Sequence, residues 1–213
     1  MMRVRIIFAK TEAMRFTSHL DLYHAWERTL RRACIPLAYS KGFKPHPRIN
    51  IAAALPLGLT SLEDIVDIWL IDFLPLEEIR NKVTQAVPPG ISIQSVIEID
   101  PKLPALQSQL SAAEFTISFL NLIDNLSEKI QAILQTNELI RIRHDKSYNL
   151  RDLILDIKCL PPDRVDHQRI SVVLKAGEGA TGRPEEVIFA LGEKPENCRI
   201  QRDRLIFDGK STT

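Results

Sequence analysis

The feature that most constrains the fold is the order of apolar patterns in the first half of the chain. Residues 3–9 (RVRIIFA) alternate as a β-strand does, and Ser18 followed by Asp21 is typical of a helix start. The helix is predicted to run to about Cys34. Its buried arc is formed by Leu22, Ala25, Trp26, Thr29, Leu30 and Ala33.

The rest of the first half continues this alternation. Residues 36–40 and 48–53 are predicted to be extended on either side of the turn GFKPHP, because its prolines and glycine exclude a helix. Residues 64–72 are predicted to form a strand, 76–87 a second helix and 91–99 a further strand. The order is therefore βαββαβ.

The same order recurs after the proline-interrupted stretch DPKLPALQSQLSAAE, without obvious sequence identity. Residues 149–159 fit either a strand or a short helix by their period, and Pro184 suits the first position of a helix. The remaining predicted elements are strands at 115–120, 138–143, 169–175 and 199–207 and a helix at 124–135.

These patterns predict an α+β fold of two tandem ferredoxin-like (βαββαβ) units with antiparallel sheets. The N-terminal unit is predicted at residues 1–100, a linker at 101–113 and the C-terminal unit at 114–213.

Composition excludes several classes of protein. The 213 residues are 45% hydrophobic, which is enough for a packed core, and no stretch approaches the roughly 20 apolar residues of a membrane span. The start MMRVRIIFAK alternates and does not form an apolar signal core, so a cytoplasmic location is predicted. The three cysteines are far apart and predicted to be reduced, and the five histidines show no zinc-like spacing. No metal or other cofactor is expected.

Charge is segregated along the chain, although the formal net charge is only +1. Between Arg15 and Arg48 there are seven lysines or arginines against two acids, whereas residues 61–100 carry eight acids against Arg80 and Lys82. One basic surface and one acidic surface are therefore expected.

The basic stretch favours a polyanion, because free N–H groups and the macrodipole at a helix start also attract phosphate. Tyr39 and Phe43 place aromatic rings among the cations, as in proteins that bind single-stranded nucleic acid. The alternative is a solvated helix face at Arg28, Arg31 and Arg32. The candidate nucleic-acid-binding residues here are Arg15, Ser18, His19, Lys41, Lys44, His46 and Arg48.

The second half contains a further basic strip around Tyr148, which fits phosphate contacts or an ordinary strand and loop surface equally. The glycines of AGEGATGRPEEV could form an anion-binding nest, but Glu185 and Glu186 in the first helical turn would repel phosphate, so an ordinary turn is favoured. The candidate nucleic-acid-binding residues here are Arg141, Arg143, Lys146, Arg151 and Arg183.

The candidates for catalysis are three residues at the start of the first helix. His19 lies at the border of the apolar arc with Asp21 and Tyr23 nearby, so it could act as a general acid or base, or it could be a hydrogen-bonded structural histidine. His46 between two prolines could contact a ligand or simply sit in a stiff turn. No Walker loop, dinucleotide fingerprint or hydrolase elbow is present.

Several segments resemble the radical-SAM-linked family of unknown function, which occurs alone or fused to the C-terminal side of B12-binding radical SAM proteins. The matching segments are RFTSHLDL, ERTLRRACIPLAYSKGFKPHPRI, ALPLGLTSLEDIVDIWL, LRDLI and GRPEEVIFAL. The family pattern has Asp-Leu-Arg-Pro where this chain has residues 149–152 (NLRD), so no acidic role transfers to Asn149.

The resemblance implies a partnership with a radical SAM protein, while the chain itself lacks the CxxxCxxC motif that would hold a SAM-cleaving cluster. A tandem ferredoxin-like layout is also shared with CRISPR repeat-processing endoribonucleases and pseudouridine synthases, which is an analogy of fold alone.

We therefore expect an RNA-binding accessory module, for tRNA or ribosomal RNA, that works with a radical SAM partner. One alternative is a metal-free RNA-processing or RNA-modifying enzyme that uses His19. The other is a protein adaptor whose acidic surface at 61–100, including Glu63 and Asp64, docks the radical SAM subunit without contacting RNA.

Overall fold

The computed structural model describes residues 1–143, 145–177 and 181–208. The chain is α+β and divides into two compact units, Met1–Gln109 and Leu110–Thr213. Every strand pair within either unit is antiparallel, which confirms the predicted α+β class and sheet type. Among the described residues, no helix has the length and apolar character needed to cross a membrane.

Unit 1 contains four strands and three helices. The sheet has the order β4-β1-β3-β2, so its first strand lies between the last and the third. The elements are β1 (Met2–Lys10), α1 (His19–Arg32), β2 (Ile49–Ile51), β3 (Leu59–Leu70), α2 (Leu76–Ala86), β4 (Ile91–Ile99) and the short α3 (Leu106–Gln109). Helix α3 lies inside the stretch predicted as a linker, and Leu106 is fully buried.

The core of unit 1 forms where α1 and α2 cover one face of this sheet. Strand β1 alternates, so that Val4, Ile6 and Phe8 are fully buried against the helices. Phe8 meets Trp26 of α1 edge to face, with ring centroids 4.8 Å apart. All six residues of the predicted buried arc of α1 are buried, so that prediction is confirmed.

The intervening residues of β1 bury charge on the opposite face of the sheet. Arg3 and Arg5 both donate to the carboxylate of Asp67 on β3, and all three side chains are almost completely buried. Arg3 also donates to the carbonyl oxygens of Leu103 and Pro104, in the segment that precedes α3.

The expected acidic surface at 61–100 is therefore smaller than predicted. Asp64 and Asp67 are buried, because β3 is an inner strand between β1 and β2 within unit 1. Glu63 is exposed.

Unit 2 contains a four-stranded sheet of order β10-β5-β9-β8 and a separate two-stranded sheet, β6-β7. The elements are β5 (Leu110–Phe119), α4 (Leu126–Gln135), β6 (Ile140–Arg143), β7 (Lys146–Asn149), β8 (Ile154–Leu160), β9 (Arg169–Lys175), α5 (Pro184–Ala190) and β10 (Cys198–Phe207). Pro184 is at the start of α5, as predicted.

One strand of unit 2 has a partner that the pattern did not predict. The strand expected at 138–143 pairs with β7 as a hairpin, and β8 occupies the sheet position next to β9. The ambiguous stretch 149–159 resolves into a 3-10 turn at Leu150–Leu153 followed by β8. Asn149 closes the hairpin base, because its Oδ1 accepts from the Leu139 and Arg151 amides and its Nδ2 donates to the Asn137 carbonyl.

Candidate nucleic-acid interface

The start of α1 is fixed by the pair that the sequence singled out. The Ser18 Oγ accepts a hydrogen bond from the Asp21 amide at 3.1 Å and donates to the Asp21 carboxylate at 2.6 Å. The predicted cap is therefore confirmed, and both side chains are engaged in holding the first helical turn. His19 is exposed in that turn.

The turn before α1 is held by two cations. The Arg15 Nε donates to the Gly58 carbonyl at 2.7 Å, the Gly58 amide donates back to the Arg15 carbonyl at 3.0 Å, and the Arg15 side chain is only 13% exposed. Buried Lys10 donates through Nζ to the Thr17 carbonyl at 3.1 Å. Arg15 thus acts mainly within the fold, and its guanidinium lies 5.1 Å from the Phe16 ring centroid.

Residues 38–48 form a hairpin-like loop, which we call the tip hairpin. The Arg48 amide donates to the Ala38 carbonyl at 2.8 Å, and the Ser40 amide donates to the His46 carbonyl at 2.8 Å. The Ser40 Oγ accepts from the His46 amide at 3.0 Å. These bonds hold two extended arms side by side, consistent with the predicted extended pieces around GFKPHP.

The base of the tip hairpin is attached to β3. The Ala38 amide donates to the Trp69 carbonyl at 2.6 Å, and the Trp69 amide donates to the Arg48 carbonyl at 3.2 Å. The Arg48 guanidinium carbon lies 4.7 Å from the Trp69 ring centroid, and so does that of Arg3. Arg48 therefore belongs to the base of the hairpin.

The end of the tip hairpin projects its side chains into solvent. Lys41, Lys44 and His46 are exposed, and the Phe43 ring between the two lysines is fully exposed. Within the described part of the chain, neither lysine has an acidic group within salt-bridge distance. Gly42 has a φ of +135°, a conformation that favours glycine and shapes this end.

Tyr23 connects α1 to the tip hairpin. Its hydroxyl donates to the Pro47 carbonyl at 3.4 Å, and burial followed by the nearby Glu27 carboxylate raises the Tyr23 pKa above its usual value. The phenol is therefore neutral and a donor near pH 7. Of the catalytic candidates, Asp21 and Tyr23 thus both take part in positioning α1 and the hairpin.

The arginines at the middle and end of α1 lie on the surface. Arg31 pairs with Glu27 at 2.7 Å, and Arg32 donates to the Ala86 carbonyl at 2.6 Å. Arg28 is exposed.

The second group of candidates lies in unit 2, around the β6-β7 hairpin. Arg141 is opposite Tyr148 in this hairpin, and its Nε is 3.9 Å from the Glu186 carboxylate. The pKa of Tyr148 is raised above its usual value by burial and then by the Glu186 carboxylate. The positive charges of Arg143, Arg141 and Arg183 act in the opposite direction, so all three arginines influence this phenol.

The remaining unit 2 candidates are elsewhere or outside the described atoms. Arg151 donates through Nη1 to the Ile154 carbonyl at 3.0 Å and lines a shallow pocket with Asp152 and Lys175. The Lys146 side chain and residues 178–180 of the glycine-containing segment lie outside the described part of the chain. Across residues 1–143, 145–177 and 181–208, no three His, Cys, Asp or Glu side chains are grouped so that they could hold a metal ion.

The structure thus brings together, within unit 1, the start of α1 and the tip hairpin. Sequence reasoning missed Phe16 and Lys10. The sequence does contain a signal for Phe16. It is a large apolar residue between a strand and a helix cap, and it fits neither the strand alternation nor the apolar arc of the helix. Lys10 has no local sequence signal, because its burial depends on tertiary contacts.

Several solved structures are similar to the chain at low identity. A chain of a Cbf5-Nop10-Gar1 complex has a TM-score of 0.48 and 10% identity, covering 94% of this chain and 48% of that one. An H/ACA RNP bound to a substrate RNA containing 2'-deoxyuridine has a TM-score of 0.42 and 12% identity, covering 86% and 43%. The acetolactate synthase small subunit from Thermotoga maritima has a TM-score of 0.28 and 12% identity, covering 100% and 98%.

The chain spans about half the length of the first two of these structures. With TM-scores below 0.5, these likenesses assign no function. A comparison with curated proteins gives no match. Residues 3–184 match the profile of a family described as "Uncharacterized protein conserved in bacteria" (DUF2344). Because this match covers well over half of the sequence, the chain belongs to the DUF2344 family of uncharacterized proteins conserved in bacteria.

Proposed function

We propose that the protein is an RNA-binding accessory module that binds tRNA or ribosomal RNA through the tip hairpin and works with a radical SAM partner. The observation that carries the RNA-binding part is the fully exposed Phe43 ring between exposed Lys41 and Lys44. A fully exposed phenylalanine leaves apolar surface in water, which favours a ligand that can cover it.

Nucleic acid can both cover the exposed Phe43 ring and neutralise the two lysines. A base stacked on an aromatic side chain contributes about 1–3 kcal/mol, as judged by alanine substitution. Each lysine that neutralises a phosphate of a single strand releases counterions. The slope of log affinity against log salt concentration becomes steeper by about 0.7 for each such contact. Lys41 and Lys44 flank Phe43 closely enough in sequence for phosphates on both sides of a stacked base.

The hairpin is held before any ligand binds. Its arms are paired through Ala38 with Arg48 and Ser40 with His46, and its base is bonded to β3 and to Tyr23. Ordering a loop on binding opposes affinity, so a loop that is already ordered keeps more of the stacking free energy. This supports the tip hairpin as a binding element in preference to an ordinary surface turn.

The radical SAM partner is supported by the resemblance of the segments RFTSHLDL and ERTLRRACIPLAYSKGFKPHPRI to the radical-SAM-linked family. We also propose that the units are tandem ferredoxin-like domains, at residues 1–100 and 114–213. The shared placement of the first strand between the last and third strands of each sheet supports this.

Fluorescence anisotropy with labelled tRNA across a salt series tests the proposal. Phe43→Ala is expected to weaken binding about tenfold, and the double variant Lys41→Ala/Lys44→Ala to reduce the salt slope by about 1.4. Phe73→Ala and Lys102→Ala are matched controls, because these side chains are exposed elsewhere in unit 1. Absence of binding at low salt, or equal effects of Phe43→Ala and Phe73→Ala, would overturn the proposal.

A further inference from the structure

Phe16 is a second exposed aromatic ring in unit 1, at the entrance to α1. The side chain is 76% exposed, and the Arg15 guanidinium lies 5.1 Å from its ring centroid. A guanidinium near the ring supports it by a cation–π contact and leaves most of the ring surface in solvent. Phe16 therefore resembles Phe43 in exposure and in having a cation beside it.

The turn that carries Phe16 is fixed on both sides. Arg15 exchanges two hydrogen bonds with Gly58, one through its side chain and one through its backbone carbonyl. Thr17 donates its amide to the Met14 carbonyl at 2.9 Å and accepts from the buried Lys10 ammonium at 3.1 Å. An exposed ring on a turn tied in this way is a preformed contact surface.

The two rings lie on elements that touch. Phe16 is two residues before the Ser18 cap of α1, and Tyr23 of the same helix bonds the Pro47 carbonyl in the tip hairpin. Exposed His19 and Leu20 occupy the first turn between them. Unit 1 therefore offers two separate exposed aromatic rings, one before α1 and one at the end of the tip hairpin, on elements joined through Tyr23 and Pro47.

We infer that the ligand of unit 1 is a single-stranded or looped stretch of RNA, with one base stacked on Phe43 and another on Phe16. This inference rests on the proposed function. The bases of an intact duplex are stacked on one another and cannot offer their faces to two separate rings, whereas unpaired bases can. Two stacking points on one strand also act together, so affinity should rise when the strand is long enough to reach both.

Anisotropy with unstructured RNA strands of about 4 and about 16 nucleotides, the range of known single-strand site sizes, tests the inference. A perfect duplex of the longer strand is the third ligand. The wild-type protein should bind the long strand at least about tenfold more tightly than the duplex. Phe16→Ala should weaken binding of the long strand about fivefold or more and leave the short strand, held at the lysine-flanked tip, unchanged.

Phe16→Tyr should bind the long strand as the wild-type protein does, because it keeps an aromatic ring. Phe73→Ala is the control for loss of an exposed ring elsewhere in unit 1. If Phe16→Ala behaves like Phe73→Ala while Phe43→Ala still weakens binding, the inference fails and the proposed function stands. Equal binding of the duplex and the single strand would likewise overturn the inference and leave the proposed function standing.

A protein-docking role for Phe16 is the other outcome that overturns the inference. It would appear as loss of radical SAM protein co-purification in Phe16→Ala with RNA binding unchanged. If no RNA binds at low salt, both the inference and the proposed function fail.

Discussion

The Asp67 carboxylate accepts two hydrogen bonds from the Arg3 guanidinium, from Nε at 3.1 Å and from Nη2 at 2.6 Å. Arg5 donates to the same carboxylate through Nε at 2.9 Å. Asp67 is 0% exposed, so one carboxylate compensates two guanidiniums on the face of the sheet opposite α1 and α2. Loss of that charge would leave both buried guanidiniums without a carboxylate partner.

Asp67→Asn is therefore expected to lower the free energy of unfolding of unit 1 by about 3–5 kcal/mol. Urea denaturation of the variant and the wild-type protein measures this. Glu98→Gln on β4 is the matched control, because Glu98 is exposed, and it should change the free energy by less than about 0.5 kcal/mol. An equal, small effect of the two changes would show that the buried network contributes little.

Ser18→Ala is expected to lower the free energy of unfolding by about 1 kcal/mol, because the Asp21 amide loses its acceptor at the start of α1. Thermal unfolding followed by circular dichroism would measure the change. Ser18→Thr keeps the hydroxyl and should retain most of the stability. Equal stability of Ser18→Ala and the wild-type protein would mean that the cap is replaced by water.

Cys34→Gly is expected to stabilise the protein by about 0.5–1 kcal/mol. Cys34 follows the last turn of α1 with a φ of +51°, and the bonds from the Cys34 amide to the Arg31 carbonyl and from the Ile35 amide to the Leu30 carbonyl define a Schellman motif. That motif prefers glycine at this position.

Cys34→Ala is the control for this change, because alanine keeps the Cβ that disfavours a positive φ. Urea midpoints of the three proteins would rank them. A glycine variant no more stable than the alanine variant would contradict the prediction.

Cys198 is expected to be unreactive in the folded protein and to make the stability depend on pH. Burial raises the pKa of its thiol to about 12 from an ordinary value of 9.0, with Glu193 and Glu196 adding to the shift. A thiol reagent at pH 8 should therefore modify exposed Cys34 and Cys159 in the native state and Cys198 only after denaturation, which peptide mass spectrometry can locate.

The same raised pKa sets the sign of the pH effect. Below pH 9 the thiol is protonated in both states, and between pH 9 and about 12 the unfolded chain loses a proton that the folded chain keeps. The free energy of unfolding should fall across this window by about 1.4 kcal/mol per pH unit. Cys198→Ala should remove that component, while the raised pKa values of Tyr23 and Tyr148 act in the same direction above pH 10.

The sequence predicted best where the signal is local. The Ser18–Asp21 spacing and the apolar arc of α1 predicted the helix start and its buried face, because both depend on residues within a few turns of one another. The turn at GFKPHP was predictable for the same reason, since proline and glycine act on their own backbone.

The features that sequence reasoning missed depend on long-range pairing. Asp67 belonged to the expected acidic surface, and the burial of Arg3 and Arg5 was not predicted. These residues meet because antiparallel pairing places Arg5 opposite Asp67. The strand at 138–143 was predicted, but its pairing with β7 was not, since strand period does not specify the partner. The candidate interface also depends on hydrogen bonds between residues distant in sequence, from Tyr23 to Pro47 and from Arg15 to Gly58.

The two tryptophans give unit 1 a fluorescence signal of its own. Trp26 lies in the core of unit 1, and Trp69 lies beside Arg3 and Arg48. The sequence has two tryptophans, and both belong to Met1–Gln109. Tryptophan emission therefore comes from unit 1, with one fluorophore among apolar side chains and the other next to guanidiniums. Circular dichroism sees both units, so the difference between the two signals measures whether the halves of the chain unfold together.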